Sequence, residues 1–115
     1  MKISRVKELL DARVLCCEED LDTELCSACG CDMMSDVLAY VKNQAVLLTG
    51  LVNPQVIKTA EMMDMRCIVF VRNKKPTEDM VRLAEETGLV LLATEFTLFE
   101  ACGRLYTNGL RGEVG

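Results

Sequence analysis

The sequence predicts a single α/β domain with three layers, α/β/α, around a mostly parallel sheet of about five strands. The clearest support is the stretch from Ala45 to Arg72, in which the apolar runs Ala45–Leu48 and Cys67–Val71 enclose an amphipathic segment. This pattern is typical of two buried parallel strands joined by a crossover helix. Apolar runs and helical patterns alternate along the rest of the chain, which predicts helices on both faces of the sheet. The 115 residues are enough for one such domain with its own core.

Two helices and two strands are predicted before this central unit. They are a helix over Ser4–Leu10, strands over Val14–Cys17 and Leu25–Cys29, and a helix over Met33–Lys42. Ser4 and Asp32 each stand just before the apolar positions of a helix, so both are predicted to be N-caps. The acidic segment from Glu18 to Asp22 is predicted to be a solvated loop.

The crossover helix of the central unit has a clear start signal. Asn53 is a favourable N-cap, and Pro54 stands at the first helical position, where its missing N–H is not needed. From Val56 to Met63, apolar residues recur at helical spacing and predict the face that covers the sheet.

A polar loop, a helix, a strand and a last helix are predicted after the central unit. Thr77 caps the first of these helices, Gly88 ends it, the strand covers Leu89–Ala93, and the last helix begins at Thr94 or Thr97 and reaches about Thr107. The tail over residues 108–115 carries three glycines and is predicted to be flexible.

Composition narrows the class of function. The formal net charge is −5, and an acidic chain with no basic stripe argues against nucleic acid and anionic membranes as partners. No apolar run approaches the roughly 20 residues that span a bilayer. The N-terminus also lacks the apolar core of a signal peptide, so a cytoplasmic location is predicted. There is no histidine for a Ser–His or Cys–His nucleophile and no G-x-x-x-x-G-K-S/T phosphate loop, so no enzyme activity is predicted.

Three stretches in order carry a family resemblance: GCDMMSDVLAYV, LLTGLVNPQVIKTAEMMDMRCIVFV and VLLATEFTLFEACGRLY. Together they resemble the DRTGG domain family, which is similar in fold to the N-terminal domain of bacterial HPr kinase/phosphorylase. The resemblance runs from about Val14 to Gly109 and implies a compact α/β domain, usually a regulatory or ligand-sensing module that dimerises. Free-standing relatives occur in anaerobes alongside iron-hydrogenase genes. We therefore expect a non-catalytic regulatory or interaction module, a homodimer, with a possible protein partner in hydrogenase-related systems.

The two motifs that name the family are absent. The Asp-Arg pair would follow Gly50, where this chain has Leu51-Val52, and the Thr-Gly-Gly would follow Phe70, where it has Val71-Arg72-Asn73. Ligand contacts of those residues are therefore not carried over. The resemblance to HPr kinase/phosphorylase concerns its non-catalytic domain, which agrees with the missing phosphate loop.

A ligand site is expected where the parallel strands end, because ligands of open α/β sheets gather at the carboxyl ends of the strands. The candidate residues in those loops are Thr49, Gly50, Asn53, Arg72, Lys74, Lys75, Thr94 and Thr97. Backbone N–H groups at helix starts, together with arginine and lysine, favour an anionic small molecule such as a nucleotide. The simpler alternative, which is favoured because every α/β fold has such loops, is that Asn53, Thr77 and Thr97 only cap helices and that the lysines are only solvated.

The seven cysteines allow a second kind of site, although their odd number forbids complete pairing within the chain. Cys26, Cys29 and Cys31 form a C-x-x-C-x-C cluster, and the strand that ends in Cys16-Cys17 is expected beside it. Such thiols can hold zinc or an iron–sulfur cluster. Strand alternation, however, points Cys26 away from the other two, so structural thiols and no cofactor are the main expectation. Cys67 and Cys102 are expected in the core.

Two further patterns have simpler interpretations. Asp32 and Asp36 are predicted one turn apart on a helix, and a solvated face is favoured over a catalytic or cation-binding pair. The methionines Met33, Met34, Met62, Met63 and Met65 are predicted to lie mostly in the core, with the remainder in an exposed patch where a second copy docks.

Overall fold

The computed structural model describes residues 1–40 and 44–112, with the side chain of Tyr40 left out. Within these residues the chain forms five α-helices, five β-strands and one 3-10 turn. In chain order they are α1 (Ile3–Leu9), β1 (Arg13–Cys16), the 3-10 turn (Glu18–Asp20), β2 (Ser27–Gly30), α2 (Met34–Tyr40), β3 (Ala45–Thr49), α3 (Pro54–Met62), β4 (Cys67–Phe70), α4 (Glu78–Thr87), β5 (Val90–Ala93) and α5 (Leu98–Thr107).

The five strands form one sheet in the order β1-β5-β4-β3-β2. The four strands β2 to β5 are parallel to their neighbours, whereas β1 runs antiparallel to β5 at one edge. Every residue of β3, β4 and β5 is buried, as expected for strands covered on both faces. The predicted fold class is therefore confirmed.

The two faces of the sheet carry separate apolar cores, because successive strand residues point to opposite sides. On one face, α1 and α5 cover Val46, Leu48 and Val69 among other residues. On the other face, α2, α3 and α4 cover Leu47 and Phe70 among others. This is the predicted three-layer arrangement.

Local signals placed most helix ends correctly. The side chains of Asn53, Thr77 and Thr97 accept hydrogen bonds from the backbone N–H groups of the first turns of α3, α4 and α5. Gly88 ends α4 in a left-handed conformation with a φ of 72°. These caps confirm the predictions for three of the five helices.

The first half of the chain departs from the predicted boundaries. Helix α1 begins at Ile3, so Ser4 lies inside it, and the prediction of Ser4 as N-cap is wrong. The N–H groups of Ile3 and Ser4 instead donate to the carbonyls of Thr23 and Leu21, so a tertiary contact replaces the cap. Strand β2 begins at Ser27, two residues later than predicted. The predicted end of the helix at Lys42 falls outside the described residues.

The start of the predicted tail lies against the domain. Leu110 is buried, and the N–H of Ala28 in the edge strand β2 donates to the carbonyl of Arg111. Residues 113–115 lie outside the described part, and the flexibility of the tail stays a prediction. Separately, none of the helices in the described residues has the length and apolar character needed to cross a bilayer.

Candidate functional site

The ends of the parallel strands bring several predicted residues to one edge of the sheet, here called the carboxyl edge. Thr49 at the end of β3 is in register with Phe70 at the end of β4, and Phe70 is in register with Ala93 at the end of β5. The loops that follow these strands therefore start side by side. They hold Gly50, Arg72 and Thr94, which the sequence placed among the candidate ligand residues.

Asp32 holds the loop between β3 and α3. Its Oδ1 accepts a hydrogen bond of 2.7 Å from the Thr49 hydroxyl and one of 2.8 Å from the Gly50 N–H. These two bonds, with the nearby charge of Arg72, lower the pKa of the Asp32 carboxyl below its ordinary value. Asp32 thus lies before α2 and is bonded to another loop. The predictions of an N-cap, and of an Asp32–Asp36 pair on one helix face, are both wrong.

Arg72 and Asn73 connect the β4–α4 and β5–α5 loops. Both have left-handed backbones with a φ of 56°, which is uncommon for residues other than glycine. Their N–H groups donate to the carbonyls of Phe96 and Thr94, each at 2.8 Å. The left-handed pair turns the loop toward the end of β5, and these two bonds hold it there.

The exposed side chain of Arg72 reaches back over Gly50. A Cβ atom placed on Gly50 would lie 2.7 Å from Nη2 of Arg72, so only glycine at position 50 permits this approach. Among the described residues, no hydrogen bond or ion pair engages the guanidinium. The same is true of the exposed ammonium groups of Lys74 and Lys75. Three cations on one loop are therefore uncompensated by direct contacts within the described chain.

A cleft of about 320 Å³ opens beside this loop. Its polar and aromatic wall consists of Asp11, Arg13, Asn73, Thr94, Glu95 and Phe96. Arg13 donates from Nη2 to Oδ1 of Asn73 at 3.2 Å, which links the start of β1 to the β4–α4 loop. The guanidinium of Arg104 lies over the ring of Phe96 in a cation–π contact, with its carbon 4.1 Å from the ring centroid.

Sequence reasoning missed Arg13. Arg13 stands at the start of β1. In a parallel sheet the starts of the strands lie at the edge opposite to the carboxyl edge, where ligands bind. Because β1 is antiparallel to β5, Arg13 pairs with Ala93 and its side chain arrives at the carboxyl edge. Only the direction of the edge strand could have indicated this.

The other predicted ligand residues have structural contacts. The buried Thr94 hydroxyl donates to the carbonyl of Leu10 at 2.6 Å and accepts from the Phe96 N–H at 3.3 Å. Asn53 and Thr97 cap their helices, which is the alternative that the sequence left open. These three side chains hold the loops in place.

The cysteines do not gather at one place. Strands β1 and β2 form opposite edges of the sheet, roughly 19 Å apart at the usual strand spacing. The expectation that Cys16 and Cys17 lie beside Cys26, Cys29 and Cys31 is therefore wrong.

The three cysteines of the C-x-x-C-x-C cluster also have separate surroundings. The exposed Cys26 thiol lies 3.2 Å from Oε1 of Gln44, and Sγ of Cys31 accepts the Met33 N–H at 3.3 Å. Burial raises the pKa of the Cys29 thiol to about 11, which disfavours the thiolate that a metal requires. Among the described residues, the group whose ligand atoms lie close enough together to hold a metal ion is a different one, formed by Cys17, Glu19 and Asp20. This group is mostly exposed.

The predictions that Cys67, Cys102 and most of the methionines are buried in the core are confirmed only in part. Cys67 and Met65 are buried as expected, and Cys102 is half-buried against Gly30. Met62 is 73% exposed, so the methionines are divided between the core and the surface. Phe99, at the start of α5, is 88% exposed. Whether a second copy covers these side chains stays a prediction.

The sheet order, the two helical layers and the polar carboxyl edge together define a three-layer α/β domain. Comparison with protein families matches residues 5–107 to the DRTGG domain, and the chain belongs to that family. DRTGG domains are regulatory, non-catalytic modules, which agrees with the prediction that the chain is not an enzyme. The family resemblance drawn from the sequence is thereby confirmed.

A solved structure with this fold is that of the CBS and DRTGG domains of the regulatory region of Clostridium perfringens pyrophosphatase, complexed with its activator diadenosine tetraphosphate. The TM-score is 0.72 at 11% sequence identity, and the similarity covers 90% of this chain and 45% of that chain. Among curated proteins, none matches this chain.

Proposed function

We propose that this DRTGG domain is a regulatory module that binds a nucleotide at the carboxyl edge of its sheet. The observation that carries the proposal is the position of two chemically different surfaces side by side. One is the cleft at the end of β5, with carboxylates and an aromatic ring. The other is the β4–α4 loop, with the three exposed cations Arg72, Lys74 and Lys75. A nucleotide also has two chemically different parts: its nucleoside matches the cleft, and its phosphates match the cationic loop.

The cleft suits the nucleoside half. Its volume of about 320 Å³ is at the small end of ligand pockets, which are usually 300–1,000 Å³. The carboxylates of Asp11 and Glu95 can accept hydrogen bonds from ribose hydroxyls or base amino groups, and Asn73 offers both donors and acceptors. Phe96 provides a ring on which a base can stack.

The β4–α4 loop suits the phosphate half. A guanidinium forms strong paired hydrogen bonds with phosphate oxygens, and ammonium groups add point charges. Because direct contacts within the described residues leave Arg72, Lys74 and Lys75 uncompensated, a phosphate gains their attraction without breaking an ion pair. The tethered backbones of Arg72 and Asn73 keep the loop in one conformation, which lowers the entropy lost on binding.

The choice of probe comes from the structural neighbour. The C. perfringens regulatory region has diadenosine tetraphosphate as its activator, so this compound and ATP are the first ligands to test on the present chain. Adenosine and inorganic pyrophosphate separate the contributions of the two halves.

The test is thermal denaturation and calorimetric titration of the whole chain with these four compounds. A ligand at 100 times its Kd adds about 2.7 kcal/mol to the unfolding free energy, which is readily visible as a rise in Tm. We expect Arg72→Ala combined with Lys75→Ala to abolish the rise with ATP. The matched control is Arg66→Ala, which removes an arginine at the other end of β4, where it pairs with Asp64. The absence of a rise in the wild type, or an equal loss of the rise in the double variant and in Arg66→Ala, would contradict the proposal.

The remaining expectations stay predictions from the family resemblance and the composition. They are a homodimer, a protein partner in hydrogenase-related systems, a cytoplasmic location and the absence of a metal cofactor. Solution mass and metal content of anaerobically purified protein test the first and the last of these directly.

A further inference from the structure

The Asp32 carboxylate occupies a position that is suited to a ligand anion. Its Oδ1 accepts from the Thr49 hydroxyl at 2.7 Å and from the Gly50 N–H at 2.8 Å. The guanidinium of Arg72 lies directly over Gly50 and attracts the same carboxylate. A hydroxyl and a loop N–H thus converge on one oxygen atom, and a guanidinium lies close enough to attract the carboxylate without direct contact. We call these three groups, from Thr49, Gly50 and Arg72, the cradle.

The Thr49 side of the cradle is buried, whereas the group that occupies the cradle is exposed. Thr49 is fully buried at the end of β3, an interior strand of the sheet, and its Oγ1 also accepts the Leu51 N–H at 3.1 Å. Asp32 is exposed and lies in the three-residue connection between β2 and α2. The connection itself is held to β3 by the Cys31 N–H, which donates to the carbonyl of Leu48 at 3.0 Å. If the exposed Asp32 side chain leaves, the Thr49 hydroxyl and the Gly50 N–H lose their partner, and an incoming anion can take its place.

The donors of the cradle are those that proteins use for phosphate groups. Backbone N–H groups in the loop before a helix, a threonine hydroxyl and an arginine are the common contacts to phosphate oxygens. Asp32 accepts hydrogen bonds from the first two and attracts the third, so a phosphate must compete with it.

We propose that Asp32 is an internal anion that closes a phosphate-binding cradle, and that a ligand phosphate enters the cradle by displacing it. The inference rests on the proposed function, since the cradle would hold a phosphate of the nucleotide beside the β4–α4 loop. It adds a regulatory consequence. The carboxylate sets the ligand concentration at which the domain responds, because its occupancy and its charge both weaken phosphate binding.

Two substitutions of Asp32 separate its occupancy from its charge. Asp32→Asn keeps an amide oxygen that can still accept from Thr49 and Gly50, so the loop is retained while the negative charge is lost. Asp32→Ala empties the cradle. The matched control is Asp36→Asn, which makes the same change in net charge on α2, where the carboxylate has no hydrogen-bonding partner among the described residues.

The experiment is calorimetric titration of each variant with inorganic pyrophosphate and with ATP at constant ionic strength. We expect Asp32→Ala to lower the Kd for pyrophosphate by about tenfold or more and Asp32→Asn to lower it less, with Asp36→Asn unchanged. Adding Arg72→Ala to Asp32→Ala removes the gain. If Asp32→Ala does not fold, as judged by circular dichroism, Asp32→Asn alone decides.

The outcomes separate this inference from the proposed function. Unchanged or weaker pyrophosphate binding in both Asp32 variants overturns the inference, and Arg72-dependent ATP binding by the wild type would still support the nucleotide proposal. Conversely, tighter pyrophosphate binding in the Asp32 variants without any wild-type response to ATP supports the cradle and contradicts the nucleotide proposal.

Discussion

The two ends of the sheet use their buried hydroxyl groups differently. At the carboxyl edge, Thr49 and Thr94 are buried, and both hydroxyls form hydrogen bonds that hold neighbouring loops. Toward the other end, Ser27 starts β2 and Thr59 lies in the second half of α3. Both are buried, and their hydroxyl oxygens have no partner among the described residues. The buried hydroxyls at the carboxyl edge therefore hold the loops of that surface in place. Those at the opposite end lower the stability of the fold, because they are desolvated and form no compensating hydrogen bond with a described residue.

The two arginines that flank β4 show the same contrast. Arg66, before the strand, lies 3.6 Å from the carboxylate of Asp64. Arg72, after the strand, extends over Gly50 and forms no ion pair with a described residue. One arginine is thus partly neutralised by its own chain, and the other remains available to a ligand. This difference between the two arginines supports the proposed ligand site at the carboxyl edge.

The largest effect is expected for Thr94→Val. The substitution keeps the shape of the side chain but leaves the buried carbonyl of Leu10 and the N–H of Phe96 without their partner. A buried group that loses its hydrogen bond costs about 1–3 kcal/mol, so the unfolding free energy should fall by that amount. Urea denaturation measures the change, and Thr94→Ser is the control that retains the hydroxyl. If Thr94→Val is as stable as the wild type, the hydrogen bonds of Thr94 do not stabilise the fold, and the contrast between the buried hydroxyls at the two ends of the sheet is wrong.

The opposite sign is expected for Thr59→Val. The hydroxyl is fully buried without a partner, so replacing it with a methyl group removes a desolvation cost. Both residues are branched at Cβ, so helix propensity changes little. The unfolding free energy should stay equal or rise by up to about 1 kcal/mol in the same urea measurement. A loss comparable to that of Thr94→Val would indicate that the Thr59 hydroxyl has a partner after all.

The smallest effect concerns the pH dependence that Asp32 contributes. Its pKa is lowered in the folded chain by the hydrogen bonds from Thr49 and Gly50, so it stabilises the fold above the ordinary aspartate pKa of about 3.9. This contribution is lost as the pH falls through the lowered folded-state value. The stability difference between wild type and Asp32→Asn should therefore shrink between pH 6 and pH 3, as measured by urea denaturation. A difference that is independent of pH, or an equal trend for Asp36→Asn, would show that these bonds do not stabilise the ionised form.

Much of the fold could be predicted because its signals are local. The apolar runs at Ala45 and Cys67, the caps at Asn53 and Thr77, and the turn at Gly88 each act within a few residues. Prediction was weaker before Gly30, where the N-terminus of α1 is completed by carbonyls of a distant loop. No pattern within the helix itself reports such a contact.

The candidate site could be predicted only in part. The rule that ligands gather at strand ends located Gly50 and Arg72 correctly at one edge. It did not locate Arg13, which reaches that edge because the first strand is reversed. It also gave Asp32 the role of a helix cap, since an aspartate before a helical pattern is usually one.

The sequence by itself determined the order of helices and strands, the three-layer class and most helix ends, because periodicity and capping depend on neighbouring residues. The tertiary structure alone decided which distant groups meet. It set β1 and β2 at opposite edges, which separates the cysteines, and it aimed Asp32 at Thr49 and Gly50. The physical reason is that strand order and direction follow from burying both faces of the whole sheet at once, a condition that no single segment expresses.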